Sequence, residues 1–128
     1  MTSEREARGR VLAVAVYDGR LLLVTHEDGA PWTLPAGTAE PAETPGATAE
    51  RVVYELTGYL VDGTEPLGPA DGESPDAVPA VLCQLLTDSP SGGASLPPER
   101  IRWAAFEEAE RDALPPAVRT YLRGHGPV

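Results

Sequence analysis

The chain contains no lysine. Its ten cations are all arginine, against twenty Asp and Glu, so 128 residues carry a formal charge of −10. Without lysine there is no Schiff base, no phosphate-loop lysine and no lysine general base. Without a surplus of cations there is little to displace counterions from nucleic acid or to hold an anionic membrane surface, so neither is expected as a partner. Cysteine occurs once, as Cys83, which excludes an intramolecular disulfide and a cysteine-rich zinc site. Long apolar runs are missing as well: the longest, Val11 to Tyr17, is far short of a membrane span. Met1 to Arg10 is polar and mixed in charge, unlike a secretory leader, and the expected compartment is the cytoplasm. No Gly-x-Ser-x-Gly elbow is present, which leaves a serine hydrolase without support.

What is present is length for one domain, able to bury about two-thirds of its unfolded surface. Residues 10–124 read as that domain, and residues 1–9 as a flexible arm. Thirteen Gly and fourteen Pro announce many turns. The acid is concentrated: Gly37 to Asp88 holds ten carboxylates and one Arg, Arg51, a balance of −9. Such a run is either a solvated face or a site that handles anions through hard cations, which prefer carboxylate oxygen.

Along the chain, Val11 to Tyr17 reads as a strand, Asp18-Gly19 as a hairpin turn and Arg20 to His26 as the partner strand. Trp32 to Leu34 is a short extended piece. Thr44-Pro45 is a helix start and Gly58 a helix stop, about thirteen residues apart. Tyr59 to Val61 resumes extended structure, and Thr64 to Pro79 reads as a long acidic loop. Ala80 to Leu86, apolar at both alternating positions, fits a strand buried on both sides. Ser89 to Pro98 is a loop, Ile101 to Phe106 a strand, and Glu107 to Leu122 helical with a break at Pro115-Pro116. Strands and two helices in one domain suggest α/β layering.

One stretch is more specific. Gly37, Glu43, Arg51, Val53, Glu55 and Gly58 stand at the spacings of the box G-x5-E-x7-R-E-U-x-E-E-x-G-U, with U a bulky aliphatic. The lead-in Trp32-x-Leu34-Pro35-x-Gly37 and the closing Ile101 to Phe106 strand fit the same frame, so the chain resembles the Nudix hydrolase family over most of its length. The resemblance implies an α/β/α sandwich: a mixed sheet with the box helix on one side and the C-terminal helix on the other. It implies structural roles for Gly37, Glu43, Arg51 and Gly58. It implies a divalent cation, Mg²⁺ or Mn²⁺, if the chain hydrolyses, met by Glu55 as catalytic carboxylate and by the Gly37 carbonyl. The substrate would be a nucleoside diphosphate linked to another moiety, and many relatives resemble dimers.

The departures bear on activity. Where the family has Glu after the Arg and Glu after the later Glu, this chain has Val52 and Leu56. Cleaving a diphosphate needs metal held against phosphate oxygens and a water activated for attack. At about 100° per residue, positions 52, 55 and 56 share one helix edge. Ala49, Val52, Val53 and Leu56 instead follow an amphipathic core stripe. Glu50 lies on another side of the helix.

Acids from elsewhere could compensate: Glu73 and Asp76 in the long loop, Glu107 and Glu108 after the last strand. His26 ends a strand near Trp32 and is a candidate for facing substrate; Cys83 reads as a core thiol, and Trp32 and Tyr59 as packing. The resemblance and its departures leave two functions open. One is a metal-dependent hydrolase with a degenerate box; the other is an inactive Nudix-like module that binds a nucleotide or a protein.

Overall fold

The first strand is apolar without interruption from Val11 to Tyr17, and the fold uses both sides of it. The computed structural model describes residues 10–27, 29–67, 79–87, 90, 94–109 and 114–125. The expected arm at 1–9 and most of the acidic loop, 68–78, lie outside them. Strands β1 (Arg10–Tyr17) and β2 (Arg20–Val24) form a hairpin. Its turn residues Asp18 and Gly19 both take positive φ, 51° and 73°, the twist that a two-residue hairpin requires. They are followed by β3 (Ala36–Thr38), helix α1 (Pro45–Thr57), β4 (Val61–Leu67), β5 (Ala80–Leu85), β6 (Ile101–Ala105), and helices α2 (Phe106–Ala109) and α3 (Pro116–His125).

The strands make one mixed sheet in the order β4-β5-β1-β2-β6, with β1 and β5 parallel and β3 added antiparallel to β1. Val14, Leu21, Leu23, Ala80 and Ala104 face one way and pack with Phe106, Leu114, Val118 and Leu122. Val11, Ala13, Ala15, Leu22, Val81 and Cys83 face the other way and pack with Ala49 and Val53 of α1. The sheet is therefore sandwiched between α1 and the C-terminal helices, an α/β/α arrangement. Each fully buried aliphatic side chain, Val53 for example, contributes roughly 1.5–3 kcal/mol.

Four segments differ from the sequence expectation, the first being β2, which stops at Val24 and leaves His26 beyond the strand. Residues Ala36–Thr38 form a strand where no periodic signal marks one. β4 runs to Leu67, through what reads as the start of a loop, because it borders the sheet and pairs with β5 alone. An edge strand tolerates Pro66, which would be costly in a central one. The last strand stops at Ala105, since Phe106 already begins α2 and its amide donates to the Gly19 carbonyl (3.3 Å).

Candidate functional site

The box begins where β1 and β2 part. At its far end β1 pairs with β2, Val16 opposite Leu21. At its near end β2 has diverged, and the chain segment after it fills the gap. Thr33 bridges Val24, the Ala13 amide donates to the Pro35 carbonyl (2.8 Å), and Val11 lies opposite Gly37. The splay leaves a cavity of about 370 Å³ lined by Arg10, Leu12, His26, Thr33, Leu34, Ala36 and Pro115. His26 is exposed there, and its carbonyl accepts from Arg100 Nη1 at 2.8 Å. Arg10 and Thr33 carry no sequence signal of a site role, because only the divergence of two strands brings them to the same opening.

Helix α1 is set by its ends. The Thr44 hydroxyl accepts from the Ala47 amide (3.1 Å), Pro45 occupies the first turn, and Gly58 closes the helix at φ 79° with its amide on the Tyr54 carbonyl. Before the helix, a tight loop with Ala42 at φ 66° turns Glu43 back toward α1. Its Oε1 accepts from the Glu40 amide (3.0 Å), the Thr48 hydroxyl (2.8 Å) and Arg51 Nη2 (2.9 Å). Its Oε2 accepts from Arg51 Nε at 2.9 Å, completing a two-pronged ion pair. The Arg51 guanidinium, then the Glu40 amide and the Thr48 hydroxyl, hold the Glu43 carboxyl down at about 2, well below its ordinary 4.5. Glu43 in turn raises Arg51 above its ordinary value. Arg51 also donates to the Thr38 carbonyl (2.8 Å) and to Glu55 Oε1 (3.0 Å), so one guanidinium joins loop, β3 and helix.

The helix edge that carries positions 52, 55 and 56 is mixed. Glu55 is 57% exposed and spends one oxygen on Arg51. Val52 is 4% exposed and packs directly on Gly37: a Cβ there would overlap the Val52 Cγ2 methyl. Leu56 is half-buried, less enclosed than the core stripe predicts. Its carbonyl and that of Glu55 are capped by the Leu96 and Ser95 amides (3.2 and 2.9 Å). No cluster of three metal-ligating side chains exists among the described residues. A hard divalent ion takes about six oxygens, commonly one or two of them carboxylate. The described residues of this edge bring one carboxylate, Glu55.

The candidates from elsewhere separate. Glu107 and Glu108 follow Ala105, which lies opposite Arg20 at the turn end of the hairpin. Gly37 lies opposite Val11, at the other end of β1. Six residues of strand, about 20 Å at 3.3 Å per residue, separate the two ends. Glu73 and Asp76 lie outside the described residues. Cys83 is fully buried, and burial pushes its thiol up to about 12, which suits a core residue and not a nucleophile. Trp32 carries the Arg102 guanidinium over its ring at 4.9 Å, and Tyr59 meets Trp103 edge-on.

Solved structures of low sequence identity share this fold. A NUDIX hydrolase from Nitrosomonas europaea matches with a TM-score of 0.64 at 21% identity, over 90% of this chain and 88% of its own. An ADP-ribose pyrophosphatase from Streptococcus suis matches with a TM-score of 0.63 at 20% identity, over 88% of this chain and 86% of its own. A UDP-X diphosphatase matches with a TM-score of 0.58 at 18% identity, over 91% of this chain but 63% of its own. No curated protein matches the sequence. The model of the NUDIX domain matches residues 7–123, nearly the whole chain, and with the box frame of Gly37, Glu43, Arg51 and Gly58 in place the protein belongs to the Nudix family.

Proposed function

We propose that this Nudix protein binds a phosphate-bearing nucleotide derivative in the Arg10–His26 pocket, and that its box serves as a frame and not as the seat of a catalytic metal. One observation carries the reading: Val52, at a position where the family has a carboxylate, packs its methyls on Gly37. A metal in this family would supply Lewis acidity and an activated water. Here Glu55 is the one carboxylate on that edge, and it is paired with Arg51.

The ligand class rests on charge and on relatives. Most of the net charge of −10 lies between residues 37 and 88, whereas the pocket presents Arg10 and His26. An anion approaching this molecule finds its favourable contacts there. The names of similar structures, an ADP-ribose pyrophosphatase and a UDP-X diphosphatase, point to a nucleoside diphosphate carrying a second group. Neither nucleic acid nor membrane is a partner in this reading. In this reading the protein works in the cytoplasm, and its macromolecular partner is a second copy of itself.

Hydrolysis is the second reading, favoured by the intact Glu43–Arg51 frame and the exposed Glu55. It would use Mg²⁺ or Mn²⁺ at Glu55 and the Gly37 carbonyl. Calorimetry and product assays on the purified chain separate the two. ADP-ribose or UDP-glucose should bind equally with EDTA and with Mg²⁺, remain uncleaved, and bind at least tenfold more weakly to Arg10→Glu. Metal-dependent turnover that disappears in Glu55→Gln would establish hydrolysis and overturn the first reading.

A further inference from the structure

The sheet face opposite the Arg10–His26 pocket has a cavity of its own. It is an open cleft of about 690 Å³ between the end of α1, the segment 94–98 and the edge strand β6, with Tyr59, Leu96, Pro97, Pro98, Ile101 and Trp103 as its principal walls. From these residues we infer a second binding site, which takes an uncharged planar aromatic molecule of one or two fused rings.

Size, shape and charge lead to that class. The volume lies in the range of small-molecule sites and is too small for a peptide helix. Trp103 and Tyr59 are held edge-to-face, with centroids 5.4 Å apart and planes at 82°. Two rings fixed at this angle leave a corner in which a third can stack, and Pro97 and Pro98 add flat apolar walls.

Among the described residues no Arg, His, Asp or Glu lines the cavity, in a chain that carries thirty ionisable acids and arginines. An ion would lose its water there and gain no partner. The Thr57 hydroxyl is already engaged, donating to the Val53 carbonyl (2.6 Å) and accepting from the Tyr59 amide (3.2 Å). Ser95 supplies an exposed hydroxyl at the rim, suited to one hydrogen bond from a neutral amide or ring nitrogen.

The site is formed in advance. Segment 94–98 is pinned to α1 by the Ser95 and Leu96 amides on the Glu55 and Leu56 carbonyls. A wall already ordered lowers the entropy that binding must overcome. Nothing in this arrangement depends on the Arg10–His26 pocket, so either site can fail alone.

The test uses two isosteric probes, indole-3-carboxamide and indole-3-carboxylate, titrated into the ¹⁵N-labelled full chain in 0.3 M NaCl to screen the overall charge. The amide should bind with Kd on the order of 1 mM, as suits a ligand of this size. Its shifts should centre on Tyr59, Ser95, Leu96 and the Trp103 indole. The carboxylate should bind at least tenfold more weakly. Ala94→Phe, which fills the cavity from its rim, should abolish the shifts, and Arg10→Ala should leave them unchanged. Absence of saturable shifts, shifts centred on Arg10 and Thr33, or equal affinity for the two probes would each overturn the inference. The wild-type shift map decides the matter even if Ala94→Phe does not fold.

Discussion

Arg51 spends its guanidinium inside the fold. It meets both oxygens of Glu43, the Thr38 carbonyl and Glu55. That pairing has a pH signature. Glu43 titrates at about 2 in the folded protein against an ordinary 4.5, so its folded value is depressed. Its contribution is fully present above about 4.5 and is lost as pH falls toward about 2. Glu43→Gln keeps the shape of the side chain and removes the charge. The variant should have a lower urea midpoint than the wild type at pH 7, and the difference should shrink steadily from pH 5 to pH 2. A difference constant across that range would show that the carboxylate's charge is not what stabilises the loop. The spacing of Glu43 and Arg51 is legible in the sequence. The Thr38 carbonyl and the Thr48 hydroxyl as further partners are not, because they depend on where β3 and the tight loop lie.

At the scale of elements, α1 could be read from its ends, Thr44-Pro45 and Gly58, since capping chemistry is local and needs no tertiary partner. β3 could not: its three residues, Ala-Gly-Thr, have no alternation, and it is a strand because β1 offers an unpaired edge where β2 diverges. The packing of β3 on α1 was equally hidden, although the letters Gly37 and Val52 were both in view. This contact predicts a coupling. Gly37→Ala should cost about 1–3 kcal/mol, since its Cβ would overlap Val52 Cγ2. Val52→Ala should cost about 2 kcal/mol through the cavity it leaves. Together they should cost less than the sum by at least ~1 kcal/mol, because the smaller side chain makes room for the new methyl. Denaturant unfolding of the four proteins measures this. Strict additivity would mean that strand and helix do not touch at this point, and would remove the main support for a box without metal.

For the whole molecule, net charge and metal site can be weighed in one experiment. A charge of −10 repels itself in the compact state, most strongly where ten carboxylates lie between residues 37 and 88. Salt screens that repulsion, with a Debye length of about 30 Å at 0.01 M and about 10 Å at 0.1 M. Raising NaCl from 0.01 to 0.3 M should therefore stabilise the fold by about 1 kcal/mol, or about 4 °C in Tm. MgCl₂ at matched ionic strength provides the comparison. A specific ion site adds RT ln(1 + [L]/Kd) to the screening effect and saturates, whereas screening alone rises smoothly. The edge of Val52, Glu55 and Leu56 supplies one carboxylate, already paired with Arg51. The Mg²⁺ and Na⁺ curves should then coincide within about 1 °C below 5 mM Mg²⁺, whereas a site with a Kd of 0.05 mM would add about 2.7 kcal/mol at that concentration. An early saturating rise in Mg²⁺ that Glu55→Gln abolishes would place a cation on the box and make hydrolysis the better account of the protein.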